Sequence, residues 1–273
     1  MLPALAGPMS GMFAQQQAID VIAANLANVN TTGYRARHVE FHDLLQQHLP
    51  LGASSGRAVD EPLGGAGRSS GLLDLLTAGV RVGAIAHSFE PGRVIEDADP
   101  YHLAIEGEGF FVVQTVDGGA AYTRDGSFKL DSIGRLVTAN GDVVLPETRI
   151  PADATDIRID DAGLVMARLV AEDGTEFDVV VGEVQLARFV NPHGLAALGG
   201  NLFSATDASG DPIVGYSASD GLGRIRAGAL ETSNVDIAEQ MTAMLIGQRA
   251  YGLSARVLQS LDEMLGLANN LRR

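Results

Sequence analysis

The residues best suited to chemistry in this 273-residue chain are few and scattered. His38 and His42 stand four apart, the spacing that puts two side chains on one helix face, and with Glu40 or His48 they would offer zinc a nitrogen and oxygen ligand set. The order His38-Val39-Glu40-Phe41-His42 is not that of the H-E-x-x-H motif, in which glutamate follows the first histidine directly, so these groups are expected to be solvated on an arm. Gly107-Glu108-Gly109 has two of the three glycines of a phosphate loop, but it feeds an apolar run of strand type rather than a helix and reads as a turn. Ser217, in Gly215-Tyr216-Ser217-Ala218-Ser219, lacks the closing glycine of a nucleophile elbow and has no histidine near it in sequence. A sugar hydrolase needs two carboxylates at a set separation in a ring-lined cleft. Carboxylates are plentiful here, at 34, but there is no tryptophan and there are only five tyrosines. The expectation is a chain that is not an enzyme, with no catalytic residue, no cofactor and no metal site.

These groups lie between two ends of a different character. The first end runs Ala14-Gln15-Gln16-Gln17-Ala18-Ile19-Asp20-Val21-Ile22-Ala23-Ala24-Asn25-Leu26, with Met12, Phe13, Ile19, Ala23 and Leu26 on one helical face. Pro3 and Pro8 are expected to interrupt the start of that helix, and Asn28 through Gly33 to stop it, Gly33 in a left-handed conformation. At the other end, Ala243, Ile246, Ala250, Leu253, Val257, Met264, Leu267 and Leu271 follow the steps of a heptad seam that only Ser260 interrupts. A second seam, Ile237, Met241, Met244, Tyr251, Ala255, Leu258 and Leu265, lies roughly 200° around the same helix. Two opposed stripes call for two partners: the N-terminal helix on one side and other molecules on the other, with either seam able to be the internal one. Ser233 with Asp236 fits a capping box and Asn234 is a competing cap, which starts the long helix at about 234.

At these residues the chain resembles the axial proteins of the bacterial flagellum, and within them the distal rod type of the basal body. Gly11-Met12, Ala14 to Gln16 and Asp20 to Val29 match the N-terminal pattern of that family, with Ala24 in place of the usual first Asn. Glu231-Thr232-Ser233-Asn234-Val235, Gln248-Arg249-Ala250-Tyr251 and Asp262-Glu263-Met264-Leu265 match its C-terminal pattern. Gly107 to Phe111 and Tyr122 to Phe128 resemble the entry to its β-domain. The resemblance implies a structural subunit that assembles helically into the drive shaft carrying torque from motor to hook. The paired terminal helices of many copies would form an inner tube, and the β-domains an outer sleeve. It implies as partners further copies of the chain, proximal rod proteins, the hook protein and the ring (bushing) proteins, in a rod spanning the periplasm and reached through the flagellar export channel.

A formal net charge of −15 argues against unaided binding to nucleic acid or an anionic membrane, and points to proteins as partners. There is no cysteine, hence no disulfide and no thiolate metal site. Met1 to Ala6 lack the basic region and apolar core of a secretory signal, and no apolar run is long enough to insert in a membrane.

The expected fold class is α+β: terminal helices paired as a coiled coil, plus a mainly antiparallel central β-domain. Residues 1–33 with 234–273 would form the helical domain, 34–83 an extended arm, a short helix and a Gly/Ser-rich insertion, and 84–233 the β-domain. Runs such as Phe110 to Gln114, Arg135 to Thr138, Asp142 to Leu145, Phe177 to Val181 and Glu183 to Val190 are split by Asp117-Gly118, Asp125-Gly126, Asn140-Gly141 and Asp173-Gly174, dipeptides that favour tight hairpins. Asp131 to Leu136 and Asp160 to Val165 read as one turn-and-strand unit used twice. In the family an insertion at 50–83 forms a stiffening hairpin, and the same is expected here. The expected assembly interface is Asn25, Leu26 and Asn28 on the first helix with Met244, Tyr251, Leu253, Val257 and Leu258 on the second; ordinary core packing is the competing role of each apolar member. Two other readings stand beside the distal rod: a proximal rod or hook-type axial subunit, and, outside the family, a β-rich carbohydrate-binding module with a helical oligomerisation tail.

Overall fold

The computed structural model describes residues 3–43, 79–151, 153–154, 156–171, 175–219 and 221–270. His48, the expected short helix before Gln47, nearly all of the 50–83 insertion and the Asp173-Gly174 turn lie outside them. The described residues form two units, one of 3–26, 37–43, 79–86 and 237–270, the other of 27–36 and 87–236.

In the first unit, α1 spans Pro3–Ala27 and α2 spans Ile237–Asn270, and strands β1 (Arg37–Asp43) and β2 (Val80–His87) pair with each other. Pro8, the sixth residue of α1, lies inside the helix without ending it, although it has no N–H to donate to the carbonyl four residues earlier. Ala14, Val21 and Asn25 are buried at steps of seven and four, one face of a helix. The answering row on α2 is Gln240, Met244, Gly247, Tyr251, Ser254 and Leu258, buried or half-buried at alternating steps of four and three. At Gly247 the two helices approach closely: a Cβ there would stand 3.1 Å from Ile19 Cγ1. The internal row therefore takes Met244, Tyr251 and Leu258 from the second seam, and Ile246, Leu253, Val257, Met264 and Leu267 of the first face outward.

Helix α2 begins three residues later than the capping box suggested. The Asn234 side chain is committed elsewhere: Oδ1 accepts Ala36 N–H at 2.7 Å, and Nδ2 donates to the carbonyls of Ser88 (3.1 Å) and Glu90 (3.0 Å). Ser233 Oγ accepts Val235 N–H at 3.3 Å in a local turn. Asp236 and Glu239, three apart at the actual start, fit the same box one turn on. At the end of α1 the chain turns over 28–33, and Gly33 takes φ +63°, where an added Cβ would collide with the backbone of Arg124 and Asp125. Residues 37–43, expected as part of an extended arm, form β1.

The second unit is built of antiparallel strands. Its largest sheet runs in the order β14 (Ala196–Gly199), β15 (Leu202–Ser204), β6 (Ala120–Thr123), β5 (Phe110–Gln114), β9 (Val143–Val144), β8 (Leu136–Val137) and β7 (Lys129–Leu130), with β13 (Leu186–Arg188) pairing both β5 and β16 (Ile213–Gly215); β17 (Arg224–Ala227) pairs β4 (Leu103–Glu106) apart from it. Strand β5 reads Phe-Phe-Val-Val because both of its faces are covered. Phe111 and Val113 enter a core with Leu103, Ile105, Phe128, Leu186 and Ile225, whereas Phe110 and Val112 enter a second core with Tyr122, Phe189, Leu195 and Phe203. A meander of β10 (Asp156–Ile159), β11 (Leu164–Val170) and β12 (Glu176–Glu183) stands as a separate sheet, and β18 (Ala229–Glu231) pairs β3 (Val94–Glu96).

The repeated turn is real and occurs four times among the described residues rather than twice. At Asp131 and Asp160 the carboxylate accepts the N–H groups two and four residues on, at 2.8–3.1 Å, and the glycine three residues on has φ +82° or +84°. Thr138 to Asp142 repeats this with a threonine hydroxyl, and Thr115 to Gly119 keeps the same backbone bonds, its glycine at φ +85°. A left-handed glycine closing a type I turn is the three-residue hairpin that matches strand twist, which is why the position selects glycine.

Candidate assembly interface

His38, Glu40 and His42 lie on β1, where a period of two gives them one face; His38 Nε2 stands 3.8 Å from Glu40 Oε1, both half exposed. Among the described residues no three histidines, aspartates or glutamates are grouped to hold a metal ion. Gly107 and Gly109 take φ +116° and +132° on the way into β5. Ser217 Oγ donates to the Asp161 carbonyl at 2.8 Å and accepts Ile225 N–H at 3.0 Å, so it pins two loops together.

Among the described residues, Arg35, Arg124 and Glu231 form a buried knot of charges that sequence reasoning did not identify as such. Glu231, at the end of β18, is 1% exposed. Its Oε1 accepts Arg35 Nη2 at 2.8 Å and Gly92 N–H at 2.7 Å, and its Oε2 lies 3.4 Å from Arg124 Nη1. Arg35 also donates to the Glu90 carbonyl (2.8 Å), and Arg124 to the carbonyls of Ile105 (3.3 Å) and Gly107 (2.7 Å), with its guanidinium over the Phe110 ring. Burial pushes the Arg124 pKa down to about 10, against the opposing pull of Glu231 and with the repulsion of Arg35 adding to it. Two guanidiniums thus share one carboxylate, and they fasten the strand before α2 to the segment after α1. The signal was present: Glu231 opens the Glu-Thr-Ser-Asn-Val block. Reading it as a motif gave no sign that the carboxylate was buried.

The expected interface residues fall into two groups. Asn25 is 1% exposed, and its amide works inside the subunit as a substitute strand partner: Oδ1 accepts Arg37 N–H at 2.9 Å, while Nδ2 donates to Arg37 O at 2.7 Å and to Gln240 Oε1 at 3.1 Å. Leu26 and Asn28 are half-buried, and Asn28 accepts a bond from Thr31. Met244, Tyr251 and Leu258 are half-buried on the internal row. Leu253 and Val257 are outward, 60% and 47% exposed, in a stripe with Ile246, Met264 and Leu267. Near the start of α1, Met9, Met12, Phe13 and Gln16 with Tyr251 and Leu258 of α2 line an apolar groove of about 250 Å³, and Phe13 is 68% exposed there. Outward apolar groups at heptad spacing, with no chemistry beside them, suit packing against another helix. No helix among the described residues is long and apolar enough to cross a membrane.

Comparison with known proteins agrees with that geometry. Residues 8–35 match the family described as flagella basal body rod protein, 104–167 the flagellar hook protein FlgE/F/G D1 domain, and 226–271 the C-terminal region of flagellar basal body rod FlgEFG proteins. The chain is 41% identical to the flagellar basal-body rod protein FlgG of Borreliella burgdorferi over all of both chains. It is 39% identical to FlgG of Agrobacterium fabrum, over 97% of this chain and 98% of that one, and 34% identical to FlgG of Bacillus subtilis over all of both.

Proposed function

The chain belongs to the flagellar basal-body rod protein family, and from that membership we propose that it is a structural subunit of the distal rod, the shaft that passes torque from motor to hook. The observation that carries this reading is the outward stripe of α2. Ile246, Leu253, Val257, Met264 and Leu267 are 47–64% exposed at heptad steps, a row shaped to pack against another helix. Burying a large apolar side chain is worth about 1.5–3 kcal/mol, so five half-exposed ones yield roughly 4–8 kcal/mol. Association costs about 4–15 kcal/mol in lost freedom. One such contact is marginal, and stable assembly requires each copy to touch several neighbours, as a heterologous contact repeated along a helix provides.

In this reading α1 and α2 pair as a coiled coil and the pairs of many copies build an inner tube, with the β-rich region 84–233 as an outer sleeve and 34–83 as a connecting arm. Leu253 and Val257 meet neighbouring copies, as do the accessible parts of Leu26, Asn28, Met244, Tyr251 and Leu258; Asn25 fixes the register of α1 beneath them. Proximal rod proteins, the hook protein and the ring proteins are the further partners, and the chain catalyses no reaction. Leu253→Asp tests this: hook-basal bodies purified from cells carrying that variant should lack the chain by mass spectrometry, while the purified variant melts like the parent. Normal incorporation would remove the stripe from the interface.

A further inference from the structure

A cleft of about 400 Å³ opens in the β-rich unit between Phe89, Gly109, Phe110, Phe189 and the two arginines Arg124 and Arg188. Of the described charged groups, Glu108, Arg124 and Arg188 line it, and Glu231 and Arg35 join it through Arg124. Together they bring three guanidiniums and two carboxylates; Glu108 lies 3.9 Å from Arg188. Among these groups positive charge exceeds negative by one, in a protein whose net charge is −15. The Nε atoms of Arg124 and Arg188 are buried without a hydrogen-bond partner. On the rim, Val190 is 82% exposed. An aromatic floor with an unbalanced guanidinium suits a carboxylate carried next to an apolar group.

The same hairpin that begins in this cleft ends in such a group. Strand β5 starts at Phe110 and leads to the Thr115-Val116-Asp117-Gly118-Gly119 turn, where Val116 is 84% exposed beside the exposed Asp117 carboxylate. Val116 and Val190 are the two most exposed large apolar side chains among the described residues. At about 3.3 Å per residue, six steps separate cleft and turn by roughly 20 Å along the strand. A knob at one end of a strand and a hole at the other cannot meet in one molecule. They can meet only between copies: head-to-tail in a helical assembly such as a rod, whereas a reciprocal pairing of the same two patches would stop at a closed dimer.

We propose that the β5–β6 turn of one copy docks in this cleft of the next, Asp117 supplying the missing negative charge and Val116 packing on Val190. The proposal rests on the self-assembling rod subunit argued above and adds a specific contact to it. Because the chain has no cysteine, introduced thiols report a single contact. In cells whose only copy is the full-length Val116→Cys/Val190→Cys variant, mild oxidation of isolated envelopes should give a ladder of dimers, trimers and longer species on a non-reducing gel, and each single variant should give monomer. Complete flagella with no ladder, or with dimers alone, would overturn the contact. Should the double-cysteine cells build no flagella, charge exchange decides. Asp117→Arg and Arg188→Glu should each lower flagellar number by at least about tenfold, and their combination should restore it; a combination no better than either single variant would equally overturn it. Failure of the rod reading itself looks different, since cells deleted for the chain would then build complete flagella.

Discussion

Glu231→Ala is the perturbation that most sharply separates a structural knot from a decorative ion pair. The carboxylate is 1% exposed and holds Arg35, itself 2% exposed, at 2.8 Å, Gly92 N–H at 2.7 Å and Arg124 at 3.4 Å. Removing it leaves two guanidiniums facing each other in a buried site, and breaking a buried pair from one side costs about 3–5 kcal/mol. For a unit of this size each kcal/mol lowers the midpoint by roughly 2–4 °C, so the variant should melt roughly 6–20 °C below the parent. The assay is thermal unfolding of the full-length chain followed by circular dichroism. A second variant isolates charge from fit: Arg124→Met added to Glu231→Gln removes one cation and leaves a neutral acceptor for Arg35, and should recover part of the loss relative to Glu231→Gln alone. If Glu231→Ala melts within about 2 °C of the parent, the carboxylate is not what holds the two chain segments together, and the reasoning fails.

Gly33→Ala should cost roughly 1–2 kcal/mol or more, because φ +63° disfavours any side chain and the added carbon meets the Asp125 backbone; unfolding in urea measures it. In a dilute monomer the amides of α1 and α2 should exchange faster than those of β5 and β6, since the outward stripe of α2 is unburied there; equal protection would show that the helical pair needs no neighbours. The Asp131 carboxyl should titrate below its ordinary value of 3.8, because the Arg135 N–H bonds to its charged form and the Arg135 side chain adds to it. Its folded pKa is the lower one, so its stabilising share is present above the unfolded value and fades as pH falls through the folded one; a carboxyl resonance titrating at or above 3.8 would contradict this.

Much of this was legible in the chain because local rules and tertiary context agree. The heptad steps of 243–267 foretold a helix with more apolar surface than one partner covers, and Asn140-Gly141 and Asp117-Gly118 foretold hairpins that the left-handed glycines confirm. Strand β5 was legible as well, since four apolar residues bounded by Gly109 and Gln114 suit a strand covered on both faces. What escaped depends on contacts distant in sequence. Asn234 looks like a cap locally, yet its amide is taken by residues near 36 and 88–90, which moved the helix start to Ile237. Residues 37–43 carry no clean alternation, and they become a strand because β2 and the Asn25 amide supply partners. The split of the two α2 seams was open for the same reason: periodicity gives the angle between stripes, while contacts such as Gly247 against Ile19 and Gln240 against Asn25 show which side faces α1. The Arg35, Arg124 and Glu231 knot joins positions about a hundred residues apart, and no spacing rule reaches that far.

The central claim is that the chain is a segment of the flagellar shaft, and electron cryotomography of envelopes from cells lacking only this chain tests it most directly. The prediction is rods that stop short of the outer membrane with no hook beyond them. Complete rods carrying hooks and filaments would contradict it.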